Sequence, residues 1–274
     1  MVGGDPPVFR ADLYRGTAAD YDAFRLPYPD ALVESLCRRT QPSGGGRLLD
    51  LACGPGTVTF ALSDRFADVV AIDLEPEAVD LAARKASETG VRNVRWMAGR
   101  AEDVDPLDTF DLVTIGTAFH RLDRPRVAAL AHGWLRGGGH LVLLWSGTPI
   151  EGDAPWQLAL REAFVDWMER AGVDDRIPPQ LEGHLAQHPH VQVLEDAGFA
   201  DIGREEFAVP HEWTVESLIG FLHSTSVLSR VALGDLLPAF ERDVRARLEA
   251  IEPSGVFRED ASFAYDLAHR PPDE

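Results

Sequence analysis

A chain of 274 residues with 45% hydrophobic side chains can bury the core of one generous domain, or of a domain with a sizeable insertion, and it contains no low-complexity tract. Its 26 basic and 45 acidic residues leave a net charge of −19 spread along the sequence, which repels phosphate backbones and argues against a nucleic-acid partner. No apolar run of about 18 residues is present to span a membrane, and the two cysteines, Cys37 and Cys53, fall in different predicted elements, so the reducing cytoplasm is the expected compartment.

The opening "MVGGDPPVFRADLYR" lacks the apolar centre of a secretory signal and reads as a short loose tail. "DALVESLCRRT" (30–40) carries Leu32, Val33, Leu36 and Cys37 at helical spacing, and "QPSGGG" (41–46) is a turn. A buried strand is expected over 47–52, a helix over 57–66 and a second strand over 68–73. "PEAVDLAARKASETG" (76–90) predicts a helix that starts on Pro76 and ends at Gly90. Strands follow at 93–99 and 110–116, then a helix capped by Asp123, then a fifth strand at 140–145. Beyond Trp145 the pattern changes. An amphipathic helix spans 155–171, a polar, proline-broken stretch follows, and a helix closes at Gly198. A strand is expected at 200–209, helices at 214–250 with Leu237, Phe240, Val244, Leu248 and Ile251 as a seam, and a last strand at 261–270.

Five alternations of strand and helix at short spacing imply a parallel sheet covered on both faces. Right-handed crossovers then make a doubly wound α/β architecture the expected fold.

In such a sheet, ligands bind beyond the carboxyl ends of the strands, where the strand order reverses. The stretch "LLDLACGPGTVTF" (48–60) leaves the first strand at that place, and Gly54 and Gly56 permit a tight turn with close backbone approach. Asp73 ends the second strand, where a carboxylate can accept protons from two ribose hydroxyls. A dinucleotide fingerprint would have a third glycine where this chain has Thr59. The strand-end carboxylate of Asp50 would also oppose a pyrophosphate, and it suits a ligand with an ammonium group and no phosphates. An NAD-dependent oxidoreductase is thereby disfavoured.

"LLDLACGPG" together with "VVAIDLEPEAV", "MAGRAEDV", "FDLVTIGTAFHRLD" and "WLRGGGHLVLLW" resembles the motif series of the class I S-adenosylmethionine-dependent methyltransferases. The resemblance covers about residues 45–145, and the strands near 200–209 and 261–270 are similar to the last hairpin of that family. It implies a Rossmann-like, mostly parallel seven-stranded sheet with helical lid insertions. S-adenosylmethionine would be the cofactor and S-adenosylhomocysteine the product.

Carried onto this sequence, the resemblance places Ala52, Cys53 and Gly54 against the methionine part, with Asp50 in support. Asp73 would hold the ribose and Leu74 would pack on an adenine face. Arg100, Ala101 and Glu102 occupy the adenine edge, with the Ala101 N–H as donor; many relatives have Asp where this chain has Arg100. Thr117 to Phe119 would line the path of the methyl group. The stretch with Tyr21, Arg25, Tyr28 and Pro29 is similar to an N-terminal segment that folds over the cofactor in one branch of the family. Arg25 is then a candidate partner for the methionine carboxylate, and Tyr14 or Tyr21 a hydrogen-bonding wall. A surface acid would serve as a partner for Arg25 equally well.

Methyl transfer from a sulfonium is an in-line displacement, governed by alignment and exclusion of water, with a general base useful for alcohols or protonated amines. His120, just past the fourth strand, and His223, in the helical region expected to roof the acceptor, are the candidate bases. No metal is expected: Pro189 interrupts the cluster His184, His188 and His190.

The expected organisation is an N-terminal helical arm over the cofactor (1–40) and a cofactor-binding α/β core (41–145). A helical lid insertion with the last core helix (146–198) and a C-terminal strand pair with an acceptor-site insertion at 214–250 (199–274) complete it. The reading is a cytoplasmic methyltransferase acting on a small molecule at N or O, with an acidic surface suiting a cationic acceptor such as an amino sugar or alkaloid. The rival is a protein that keeps the cofactor for a cyclisation or for binding. Whether the chain is a monomer or a homo-oligomer is left open.

Overall fold

Strand β1 (Arg47–Leu51) is buried on both faces because it lies in the middle of the sheet. The structure, a computed structural model, describes residues 7, 9, 10, 12–104 and 109–273; the expected loose tail therefore lies partly outside the described residues. On one side β1 runs parallel to β2 (Asp68–Asp73), which pairs with β3 (Val94–Ala98). On the other it runs parallel to β4 (Phe110–Gly116), which pairs with β5 (Leu135–Ser146). The remaining strands, β6 (Ala200–Thr214) and β7 (Val256–His269), complete a seven-stranded sheet of order β3-β2-β1-β4-β5-β7-β6, with β7 antiparallel to both neighbours. The expected doubly wound, mostly parallel sheet is the observed one. Its order reverses between β1 and β4, where ligands bind in this architecture.

Ahead of the sheet run α1 (Ala18–Phe24) and α2 (Asp30–Thr40), and α3 (Thr57–Leu62) follows β1. The helix expected over 57–66 tightens into a 3-10 turn at Ser63–Arg65. Helix α4 (Pro76–Thr89) buries Ala78, Val79, Ala82 and Ala86 and stops at Gly90, whose φ of 78° suits glycine. Helix α5 (Arg124–Trp134) is capped by Asp123, whose carboxylate accepts from the Arg126 N–H.

The second half of the chain builds a roof. Helix α6 (Pro155–Ala171) matches expectation, and the proline-broken stretch holds a short helix, α7 (Leu181–Gln187), ahead of α8 (His190–Asp196). Residues 256–262 of β7 pair only with β6, so the hairpin projects beyond the sheet. Its two far ends lead into and out of α9 (Val215–His223), α10 (Arg230–Leu233) and α11 (Leu237–Ile251). Trp156, Trp167, Trp213, Phe240, Val244 and Leu248 form the core of this roof. The Trp167 and Phe240 rings meet edge-on at 5.6 Å, a preferred aromatic geometry. Ile251, expected in the seam, is exposed because α11 ends there.

The arm crosses from core to roof. Asp20 pairs with Arg230 at 3.1 Å, Lys85 pairs with Asp22, and the Gly16 N–H donates to Glu77 at 3.0 Å. Gly220 is required where α1 meets α9, since a Cβ there would lie 2.4 Å from the Phe24 ring. Among the described residues no helix is long and apolar enough to cross a membrane.

Candidate active site

The chain turns sharply after β1, with Ala52, Gly54 and Gly56 all at positive φ (53°, 54° and 90°). A non-glycine residue in that region costs on the order of 1 kcal/mol, so the loop is held against its own preference. Asp73 holds it. One carboxylate oxygen accepts the Gly54 N–H at 2.7 Å and the other accepts the Glu75 N–H at 2.8 Å. Each oxygen keeps acceptor capacity, and Asp73 lines the cleft above the loop. Burial raises its carboxyl above the ordinary value, while the two backbone N–H groups oppose that rise.

Asp50 sits one layer lower. It is fully buried, with its oxygens accepting from the Thr59 hydroxyl at 2.5 Å and the Thr114 hydroxyl at 2.8 Å. Desolvation raises its carboxyl to about 6 despite those bonds. Each Asp50 oxygen thus holds one hydroxyl, so Asp50 braces the loop from below while still lining the floor of the cleft. Thr59, the residue that breaks the dinucleotide fingerprint, is the donor that makes this brace. Cys53 is buried within the loop at the edge of the cleft, where desolvation pushes its thiol up, which suits packing rather than nucleophilic attack.

A cleft of about 750 Å³ opens above this loop and runs under the roof. At its cofactor end lie Leu74, which is 41% exposed and free to meet a flat ring, and the 3-10 turn Ala101–Asp103. The Glu102 carboxylate is spoken for: it accepts the Asp123 N–H at 3.2 Å and faces Arg100 at 3.4 Å, tying this turn to α5. Arg100 is half exposed and paired with Glu102 and Asp103.

Beyond β4, Thr117 takes φ 50°, donates its N–H to the Leu144 carbonyl at 2.7 Å, and shares a 3.1 Å hydrogen bond with the Tyr28 hydroxyl. Phe119 corrects the sequence reading: it is fully buried in the core under α5 and α8, away from the cleft. A 3-10 turn at Phe119–Arg121 sends Ala118, His120 and Arg121 to the cleft instead. His120 packs 6.3 Å from Trp145, and burial reinforced by Arg121 lowers its imidazole to about 3. Such a ring is neutral and a weak base.

The arm supplies the opposite wall. Tyr14, Tyr21, Arg25 and Tyr28 all line the cleft. Arg25 donates through Nε to Ser224 at 2.8 Å and lies over the Phe221 ring at 4.3 Å and the Tyr21 ring at 5.1 Å. His223, the other candidate base, lies outside the cleft. It is fully buried, with Nδ1 3.1 Å from the Leu228 carbonyl and Nε2 3.1 Å from Glu241. Its place is structural because α9 turns this face toward α11.

Sequence reasoning missed Arg121, Arg124 and Trp145 as cleft residues, and weighed His190 only as a metal ligand. Nothing local marks them; Arg124 reads as a surface arginine in the first turn of a helix. The cleft carries both signs of charge: Asp50, Asp73, Glu102, Asp123 and Glu151 line it, and the wall beyond the loop adds Arg25, Arg121 and Arg124.

A pinned switch-point loop, with a carboxylate beside it and a roofed cleft above, is the build of a class I methyltransferase core. Residues 48–139, most of the α/β core, match the methyltransferase domain family, and the cofactor expected of such a core is S-adenosylmethionine. Among curated relatives, an uncharacterised methyltransferase of Mycobacterium tuberculosis H37Rv is 34% identical over 128 residues, 46% of this chain and 49% of that protein. The nocamycin O-methyltransferase of Saccharothrix syringae is 29% identical over 198 residues, 70% of this chain and 65% of that protein. The chain thus spans about half the length of the mycobacterial relative. Among solved structures, a putative type II methyltransferase from Anaeromyxobacter dehalogenans shares the fold with a TM-score of 0.60 at 19% identity, covering 91% of this chain and 100% of that one.

The residues fit the cofactor. Asp73 offers spare acceptor sites to two hydroxyls, and Leu74 offers an apolar face to a base. Arg25, held by a serine and two rings, keeps donors for a carboxylate.

Proposed function

We propose that the chain transfers a methyl group from S-adenosylmethionine to a small-molecule acceptor in the cytoplasm. The observation that carries the reading is the continuity of one cleft from Asp73 and the Ala52–Gly54 loop to the chamber under the roof. A volume of about 750 Å³ lies in the upper part of the range for small-molecule clefts. When bound, the cofactor supplies an electrophilic sulfonium methyl. Asp73 binds the ribose hydroxyls, Leu74 and the Ala101 N–H take the adenine, and Arg25 takes the methionine carboxylate. Thr117 and Tyr28, joined by their hydroxyls, shape the passage between the two halves of the cleft. The arm and the roof exclude water, so catalysis rests on alignment. The Saccharothrix relative, named for O-methylation, supports oxygen as the accepting atom.

Calorimetric titration with S-adenosylmethionine, S-adenosylhomocysteine and NAD tests the cofactor half. Saturable binding of both sulfur compounds and none of NAD is expected. The substitution Asp73→Ala is expected to weaken that binding by about 30-fold, the equivalent of roughly 2 kcal/mol of charge-assisted hydrogen bonding. Binding of NAD alone would overturn the reading.

A further inference from the structure

The acceptor half of the cleft contains a buried positive charge that the protein leaves partly unmatched. Arg124, in the first turn of α5, is only 3% exposed and lines the cleft. Its Nη1 donates to the His188 carbonyl at 2.7 Å and lies 3.2 Å from His190 Nδ1. Its Nη2 is buried and has no hydrogen-bond partner among the described residues. Arg121 repeats the pattern three positions earlier: Nε and Nη1 are buried without partners among the described residues, and the guanidinium lies 5.0 Å from the Tyr14 ring centroid. A desolvated guanidinium with idle donors is costly unless an anion completes it.

Among the described residues no nearby carboxylate does so. Glu102 is taken by the Asp123 N–H and Arg100. Asp123 caps α5. Asp266 accepts from Trp145 Nε1 at 2.6 Å and from Arg204 at 3.1 Å. Glu151 accepts the Thr148 N–H at 3.1 Å. The rest of this wall is flat and apolar: Trp145 stacks on His190 at 5.0 Å and 15°, and Ile150, Phe164 and Ile177 continue it under the roof.

We infer that the acceptor is a carboxylic acid on an apolar body, its carboxylate held by Arg124 Nη2 and itself the atom group that is methylated. This rests on the methyltransferase reading above. With Nη1 committed to His188, the arginine offers the acid the N–H donors of Nη2 alone, which hold one oxygen and leave the second to face the methyl. That oxygen forms the new C–O bond; the S–CH₃ bond breaks and its electron pair stays on sulfur. The carboxylate and sulfonium charges vanish together into an ester and a thioether, and no proton has to leave. The chemistry suits the wall, whose ring groups are poor bases: burial lowers His120 to about 3 and His190 to about 4, and pushes the Tyr28 phenol up. An alcohol or ammonium acceptor would need its proton removed there.

The test uses the full chain saturated with S-adenosylhomocysteine. Naphthalene-2-acetate and dodecanoate are titrated beside their primary amides and beside 2-naphthylmethylammonium. Each carboxylate is expected to bind about tenfold or more tighter than its amide, the worth of one charge-assisted hydrogen bond. The ammonium probe is expected to bind weakest. Arg124→Gln is expected to abolish the acid-over-amide preference and Arg124→Lys to restore part of it, with S-adenosylhomocysteine affinity within about twofold of the parent in both. Because the acid–amide comparison is made on the unaltered chain, it stands even if a variant fails to fold. Amide or ammonium binding as tight as the acid, no binding of either acid, or a preference that survives Arg124→Gln would each overturn the inference. Failure of S-adenosylhomocysteine itself to bind would instead overturn the methyltransferase reading.

Discussion

Arg25 donates through Nε to Ser224 Oγ at 2.8 Å, a single hydrogen bond that closes the N-terminal arm onto α9 across 199 positions of sequence. With Phe221 on one side and Tyr21 beside it, the guanidinium is fixed over the cleft with its terminal nitrogens available.

That placement predicts a selective binding defect. Arg25→Ala is expected to weaken S-adenosylmethionine by about tenfold, the value of one charge-assisted contact. Methylthioadenosine, which lacks the amino-acid part, is expected to bind within about twofold of the parent. Ser224→Ala, which only loosens the arginine, is expected to cost about threefold. Calorimetry with the two ligands checks this; equal losses for both would assign Arg25 to the fold of the arm.

Asp50 predicts a pH dependence of stability. Its folded carboxyl titrates near 6, above the ordinary value of 3.8, because burial penalises its charge. The native state therefore holds a proton that the unfolded chain releases first. Stability from this group is highest below about pH 3.8, falls through the window up to about pH 6, and is flat above it. Relative to Asp50→Asn, the parent is expected to lose on the order of 2 kcal/mol between pH 4 and pH 7. Urea unfolding of both proteins across that range measures the difference. A flat difference would show that Asp50 titrates normally.

The contact of α1 with α9 predicts intolerance at Gly220. An added methyl would lie 2.4 Å from the Phe24 ring, within a helix on either side of which side chains are packed. Gly220→Ala is expected to destabilise by about 1–3 kcal/mol, as overpacking does, against the helix-propensity gain of about 1 kcal/mol that alanine would bring at an open site. Pairing it with Phe24→Ala in a double-mutant cycle is expected to recover part of the loss. Simple additivity would remove the proposed clash.

His223 separates architecture from chemistry. Both ring nitrogens face acceptors inside the roof. His223→Ala is expected to cost about 2–4 kcal/mol through a cavity and the unpaired groups it leaves. S-adenosylhomocysteine affinity, read on protein held well below its melting temperature, is expected to stay within about twofold. A variant of unchanged stability would mean that the histidine is not part of the roof.

Local sequence determined the half of the molecule whose physics is local. Strands β1, β2 and β4 are short apolar runs because both of their faces are covered. Helices α4 and α5 are legible from the Pro76 start, the Gly90 stop and the Asp123 cap, since a helix end needs its own nearby residues to satisfy its backbone. The cofactor loop is legible for the same reason. Gly54 and Gly56 announce positive φ, and Asp73 stands at the end of the strand that must run beside the loop.

What a side chain meets across the fold was settled only by tertiary packing. Adjacent positions in the 3-10 turn after β4 point opposite ways, so Phe119 enters the core while His120 enters the cleft. The length of the β6–β7 hairpin depends on one strand zipping onto the other past the edge of the sheet. The run at 181–187 is helical despite its polar, proline-flanked composition, because it lies against the roofed cleft that His184 and Leu185 help to line. That Asp50 braces the loop depends on Thr114, 64 positions away, which donates to one of its oxygens. Arg124 looked like a surface cation until the roof closed over it. Periodicity and capping act over a few residues and can be read in a string, whereas desolvation and hydrogen-bond satisfaction depend on partners that only the folded chain brings together.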